Sequence, residues 1–149
     1  MYLATIHALA GDLEAAERDA RAAVDMGAEV SSVHTQALAT LAQVKLAQGL
    51  PREAAEIAGV AMALVDRDGF GSGETLVRLM DAETRWGIGD REGARAAIHA
   101  AEARLRERAA KISDPELRES FLRRVPENAR TLALAAEWDA GSPADLRVR

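Results

Sequence analysis

The segment Asp66–Glu74 (Asp-Arg-Asp-Gly-Phe-Gly-Ser-Gly-Glu) comes nearest in residue types to a ligand-binding loop. Read as a calcium loop with Asp68 at the fifth position, it would need ligands at Leu64 and Thr75, and neither residue is suitable. Its glycines follow G-x-G-x-G, and a helix precedes them where a dinucleotide site requires a strand. We therefore predict a flexible turn between two helical units, with Ser72 capping the next helix.

Residue types for nucleophilic or metal chemistry are also sparse. The chain has no cysteine, which excludes disulfides, thiolate zinc sites and cysteine nucleophiles. His7, His34 and His99 fall in different predicted helices, without the helical spacing of a metal-ligand pair. Carboxylates alternate with arginines at i, i+4, as in Glu17–Arg21, and such pairs support helices weakly. We predict no catalytic residue, no metal and no cofactor, and therefore no enzyme activity.

Composition favours helices. Among 149 residues there are 33 alanines and only 3% aromatics, and alanine has the highest helix propensity. The formal net charge of −5 offers no positive field for nucleic acid. No run reaches the roughly 18 apolar residues that span a bilayer, and the N-terminus lacks the basic region of a signal peptide. We predict a cytoplasmic protein with no nucleic-acid or membrane partner.

The sequence contains a repeat, visible when its alanines are aligned. Ala16, Ala55 and Ala94 are spaced by 39 residues, and further small or apolar residues follow at i+4 and i+7. Such a spacing marks a helix face that another helix approaches closely. A period between about 20 and 50 residues indicates a helical solenoid.

Each unit is predicted to be a pair of helices. A glycine ends the first helix and an aspartate or proline starts the second, at Gly11–Asp12, Gly49–Pro51 and Gly89–Asp90. Turns this short make the two helices antiparallel neighbours. In a fourth pair, Ser113 and Glu116 have the spacing of a capping box, and a proline opens the last helix.

The turn and second-helix openings, Gly11-Asp-Leu-Glu-Ala-Ala-Glu and Gly89-Asp-Arg-Glu-Gly-Ala-Arg, resemble those of the tetratricopeptide repeat (TPR) family. Leu38, Leu41 and Ala42 fall where that family has a large, large, small triplet. The resemblance covers roughly residues 1–112 and implies an all-α, right-handed α-α superhelix. We predict one domain over 1–141, of about four hairpins at 1–30, 31–70, 71–112 and 113–141, and a frayed tail over 142–149.

The tail from Asp114 (Asp-Pro-Glu-Leu-Arg-Glu-Ser-Phe-Leu-Arg-Arg-Val-Pro) resembles the C-terminal region of multidomain bacterial signalling proteins that carry a serine/threonine kinase or an ATPase module. The resemblance implies a regulatory or scaffolding end of such a protein, with catalysis elsewhere. It carries no kinase residue to this chain.

In a superhelix of this kind the first helix of each unit lines the concave face. The predicted partner-binding residues are Gln36, Ala39 and Gln43 from the second unit, and Leu79, Glu83 and Trp86 from the third. Trp86 also continues an apolar stripe, which favours core packing. We predict a protein–protein interaction module that binds a partner peptide, a helix or a neighbouring domain. The alternative is a regulatory fragment of a kinase or ATPase signalling protein, and self-association is left open.

Overall fold

The structure, a computed structural model, describes residues 2–28, 30–68 and 73–140. Within these ranges all regular structure is helical, which confirms the all-α prediction. None of the described helices is long and apolar enough to cross a membrane. The predicted tail over 142–149 lies outside the described residues. The helices are α1 (Tyr2–Leu9), α2 (Leu13–Gly27), α3 (Ser31–Ala47), α4 (Pro51–Asp68), α5 (Glu74–Gly87), α6 (Arg91–Ala110), α7 (Pro115–Arg124) and α8 (Pro126–Ala140).

Glycine turns join α1 to α2, α3 to α4 and α5 to α6, as the sequence predicts. Gly11, Gly49 and Gly89 have φ of 80°, 76° and 89°, a conformation that strains residues with a Cβ. The second helix of each pair starts two residues after the glycine. Asp12 and Asp90 cap α2 and α6, accepting a first-turn backbone N–H at 3.0 Å and 2.9 Å respectively.

The repeat interval is uneven, so the 39-residue alignment is wrong at its middle unit. The turn glycines lie 38 and 40 residues apart. Ala16 and Ala94 are fully buried, but their counterpart in α4 is Ala54, also fully buried, whereas Ala55 is half-buried. Because Ala54 and Ala55 are adjacent in α4, a 39-residue spacing selects Ala55 and hides the shift of one residue in the alignment. The position of Gly49 reveals it, because the glycine sets where the second helix begins.

Two clusters of buried apolar side chains hold the helices together. Alanine is the commonest residue in both, so the helices approach closely where alanines meet, while each such contact buries little area. The smaller cluster joins α1, α2 and α3 through Ala4, Ala16, Ala20, Leu41 and Val44. The larger cluster joins α3, α4, α5, α6 and α8, and its bulkiest members are Leu38, Leu79, Met80, Ile98, Leu134 and Trp138.

The last two helices pack differently from the earlier pairs. α7 has no buried residue, whereas α8 contacts both α5 and α6. α8 places Leu134, Ala135 and Trp138 in the larger cluster. Val125 lies between the two helices in an extended conformation, which the following Pro126 favours. α8 therefore supplies the packing surface at this end of the fold, and α7 bridges to it from α6.

The cap of α7 differs from the predicted one by one residue. Asp114, not Ser113, is the N-cap. Its Oδ1 accepts the backbone N–H of Glu116 at 2.8 Å and that of Leu117 at 3.0 Å. Pro115 occupies the first helical position, where its missing N–H costs nothing, and this places the cap at the residue directly before it.

Lys45 forms a charged contact between three helices. It is only 5% exposed, and its Nζ lies 2.8 Å from Glu17 Oε1 of α2 and 3.1 Å from Glu53 Oε2 of α4. A lysine this buried needs such partners, because an unpaired charge is costly away from water. The hydrogen bond from Lys45, with further ones from Gln48 and Arg21, lowers the pKa of Glu17 from 4.5 to about 2.

Candidate binding groove

A groove of about 600 Å³ lies along α3 and α5 and is bounded by α1 and α8. We call it the α3–α5 groove. Its volume is in the range of small-ligand and peptide pockets. It is lined by Thr5, Gln36, Thr40, Gln43, Leu76, Leu79, Glu83, Pro126, Glu127 and Arg130.

One row of polar side chains in the groove comes from equivalent positions of the repeat. Thr5, Gln43 and Glu83 each lie six residues before the turn glycine of their own unit. α1 contacts α3, and α3 contacts α5, so equivalent positions on neighbouring first helices lie side by side. The glycine-based register therefore explains why three positions distant in sequence line one surface.

Gln36 is held at the groove by the turn before α5. Gly73 has φ of 89°, and a Cβ at this position would lie 2.9 Å from Gln36 Cγ. Glycine is required both for the backbone conformation and for this close approach. Within the described residues, neither Gln36 nor Gln43 has a side-chain hydrogen-bond partner. Each of these amides can therefore donate and accept a hydrogen bond with a bound group.

A salt bridge crosses the groove from α8 to α5. Arg130 Nε and Nη2 donate to Glu83 Oε1 at 3.0 Å and 2.8 Å. Among the described residues nothing hydrogen-bonds Glu83 Oε2, so this atom can accept from a ligand. Glu127 adds a second carboxylate to the lining. Leu76 and Pro126 contribute apolar surface, so the groove combines amides, carboxylates and small apolar contacts.

The structure brings four of the six predicted partner-binding residues together in the groove. Ala39 is the exception in α3, because it is fully buried in the larger cluster and presents no surface there. Trp86 is the exception in α5 and packs against the same cluster. The four groove residues are Gln36, Gln43, Leu79 and Glu83.

Both faces of the Trp86 ring are occupied within the chain. Trp138 stacks on one face with a centroid distance of 4.2 Å and an interplanar angle of 4°. The Arg91 guanidinium lies 3.8 Å from the ring centroid and also donates to the Trp86 carbonyl at 2.9 Å. This stack fixes α8 against α5 and thereby the position of the groove wall that α8 provides.

Two carboxylates of the acidic and glycine-rich segment 66–74 form ion pairs. Asp68 pairs with Arg67 at 2.6 Å. Glu74 is 3% exposed, and its Oε1 accepts from Arg78 at 2.8 Å and from Arg104 at 3.1 Å. Gly73, not Ser72, is the N-cap of α5, and Ser72 itself lies outside the described residues. A search of the described part found no His, Asp or Glu group fit to hold a metal.

The sequence reasoning missed Thr40 of α3, Leu76 of α5 and the groove residues outside these two helices. Thr5 could have been found from the glycine register, since it is the counterpart of Gln43. Arg130 and its neighbours in α8 carry no such signal, because α8 lies outside the repeat. Their place in the groove follows only from the packing of α8 on α5.

Comparison with known proteins gave no match to a family model, to a curated protein or to a solved structure.

Proposed function

We propose that this chain is a protein–protein interaction module, a TPR-like stack of helical hairpins that binds a peptide or helix of a partner in the α3–α5 groove. The observation that carries the proposal is a pair of amides, Gln36 and Gln43, that have no side-chain partner among the described residues and lie on one wall of a groove whose other wall carries Glu83. Amide side chains suit the backbone of a peptide, because each pairs with both an N–H and a C=O.

The repeat register supports the stacked-hairpin architecture. Turn glycines of the same conformation end α1, α3 and α5. Each second helix contacts the first helix of the following pair, α2 with α3 and α4 with α5. Stacked hairpins of this kind form extended concave surfaces that bind other proteins.

The lining favours a partner segment with a particular composition. Leu76 and Pro126 can receive an apolar side chain. Two carboxylates of the lining, Glu83 and Glu127, against one guanidinium, Arg130, favour a basic side chain or N–H groups over a carboxylate. The expected ligand is therefore a short segment with apolar and basic residues and exposed backbone groups.

A displayed library of random peptides, selected on the immobilised full chain, tests this proposal. Selected peptides should bind with at least about tenfold lower affinity to Gln43→Arg, which puts a bulky cation into the groove. The matched control is Ala63→Arg, which adds the same side chain at an exposed position of α4 outside the lining. Affinity for this control should equal that of the unmodified chain.

Two results would contradict the proposal. Selection could yield no peptide that binds saturably, or the selected peptides could bind Gln43→Arg as tightly as Ala63→Arg. The second result would place the binding surface elsewhere on the chain.

A further inference from the structure

The outer face of α1 carries apolar residues that are buried at the equivalent positions of α3. Leu3 and Ile6 are 61% and 57% exposed, whereas their counterparts Leu41 and Val44 are 5% and 2% exposed. The counterparts are defined by distance to the turn glycine, eight and five residues in both units. Ala4 and Ala42 test this register: each lies seven residues before its glycine, and both are fully buried.

The equivalent face of α3 is covered by helices of the same chain. Leu41 and Val44 share their buried cluster with Ala16 and Ala20 of α2, the second helix of the preceding pair, and with Ala4 of α1. Residues spaced by four lie on one helix face, and small ones allow the close approach seen there. In α1 the same kind of face is presented, and none of the described helices covers it.

Polar residues stand at equivalent positions of the two faces. Lys45 Nζ of α3 lies 2.8 Å from Oε1 of Glu17, which directly follows Ala16 in the covering helix. The equivalent position of α1 is His7, four residues before Gly11. His7 Nδ1 lies 2.9 Å from Asp19 of α2, and α1 has no acidic residue in its first turn. His7 is therefore paired within the chain.

Met26, at the end of α2, is another apolar residue that is more exposed than its counterpart in the next unit. It is 84% exposed, whereas its counterpart Leu64, also fifteen residues after the turn glycine, packs against the larger cluster.

We propose that the α1 edge, formed by Leu3, Ile6 and His7, is a second docking surface that takes one amphipathic helix of a partner. The helix carries small residues at i and i+4, and it packs on α1 as α2 packs on α3. This surface is separate from the α3–α5 groove, and the proposal does not depend on the proposed function.

The test uses a peptide with the sequence of residues 12–28, the chain's own α2, as the probe. A lactam bridge from Glu14 to a lysine at position 18 holds it helical, since isolated helices of this length are marginal. Both positions are exposed on α2. Fluorescence anisotropy with the labelled peptide and the full chain should show saturable binding. Ile6→Asp and Leu3→Asp should each weaken it by about tenfold or more.

Control variants distinguish binding at the α1 edge from nonspecific hydrophobic binding. Val60→Asp removes an apolar residue that is 54% exposed on α4 and should leave the affinity unchanged. A peptide with leucine in place of Ala16 and Ala20 should bind at least about tenfold more weakly, because bulk prevents close packing. Circular dichroism of the variants should show unchanged helicity, since all three replaced side chains are at least half exposed.

Three outcomes would overturn the proposal. The peptide could fail to bind saturably. Alternatively, Ile6→Asp could leave the affinity of the peptide unchanged, which would be the result if the peptide displaced the chain's own α2. A concentration-dependent dimer that Ile6→Asp abolishes, seen by analytical ultracentrifugation, would assign the edge to a second copy instead.

Discussion

Replacement of Glu17 by glutamine should remove a pH-dependent part of the stability. The hydrogen bond from the buried Lys45 is the main reason why the Glu17 pKa falls from 4.5 to about 2. A carboxyl group whose pKa is lower in the folded state stabilises that state above its unfolded pKa. The contribution is therefore complete at neutral pH and is lost as the pH falls from about 4.5 towards 2.

The magnitude follows from the size of the shift. At about 1.4 kcal/mol per pKa unit the shift from 4.5 to about 2 corresponds to at most about 3.5 kcal/mol. The side chain of Glu17 is 22% exposed, so solvent screening reduces this to about 2 kcal/mol. Lys45 retains Glu53 at 3.1 Å in the variant, which prevents the larger loss expected when a buried charge has no partner.

Urea unfolding followed by circular dichroism measures the effect. Glu17→Gln should lower the free energy of unfolding by about 2 kcal/mol at pH 7, and the difference should shrink to less than half by about pH 3. Glu14→Gln, the same change at an exposed position of α2, should cost less than about 0.5 kcal/mol. A Glu17→Gln deficit that does not depend on pH, or an equal deficit for Glu14→Gln, would refute the argument.

Two further stability predictions use unfolding measurements on the full chain. Gly73→Ala should destabilise the fold by about 1–2 kcal/mol, because the residue has a positive φ and the added Cβ would contact Gln36. Gly59→Ala, in open space within α4, should instead stabilise the fold by about 0.5–1 kcal/mol. Equal effects of the two changes would contradict this reasoning. Trp138→Ala should cost about 3–5 kcal/mol and should abolish the near-ultraviolet dichroism of its stack with Trp86. A loss below about 1 kcal/mol would mean that the stack does not hold α8 in place.

The helical elements were predictable because their signals are local. A glycine that must adopt positive φ ends a helix wherever it occurs, and an aspartate that follows caps the next helix with its own carboxylate. Gly11, Asp12, Gly89 and Asp90 were read correctly on this basis. The Ser113 cap was predicted wrongly because two neighbouring residues can each cap a helix, and only the backbone geometry selects Asp114.

The groove was predictable in part. Gln36, Gln43, Leu79 and Glu83 were predicted from the expectation that the first helices of a helical superhelix line its concave face, with the helical register choosing the side of α3 and α5. Periodicity does not say whether a small residue on that side reaches the surface, and Ala39 does not.

The sequence by itself determined that this protein is helical, where most helices begin and end, and where the turn glycines lie. These properties depend on the conformational preferences of single residues and on hydrogen bonds within a few positions. The tertiary structure decided which alanine of α4 is buried, the packing of α8 on α5 and α6, and the Arg130–Glu83 bridge across the groove. These depend on contacts between residues far apart in the chain, where several alanine-rich faces are chemically alike and only the mutual fit of the helices selects among them.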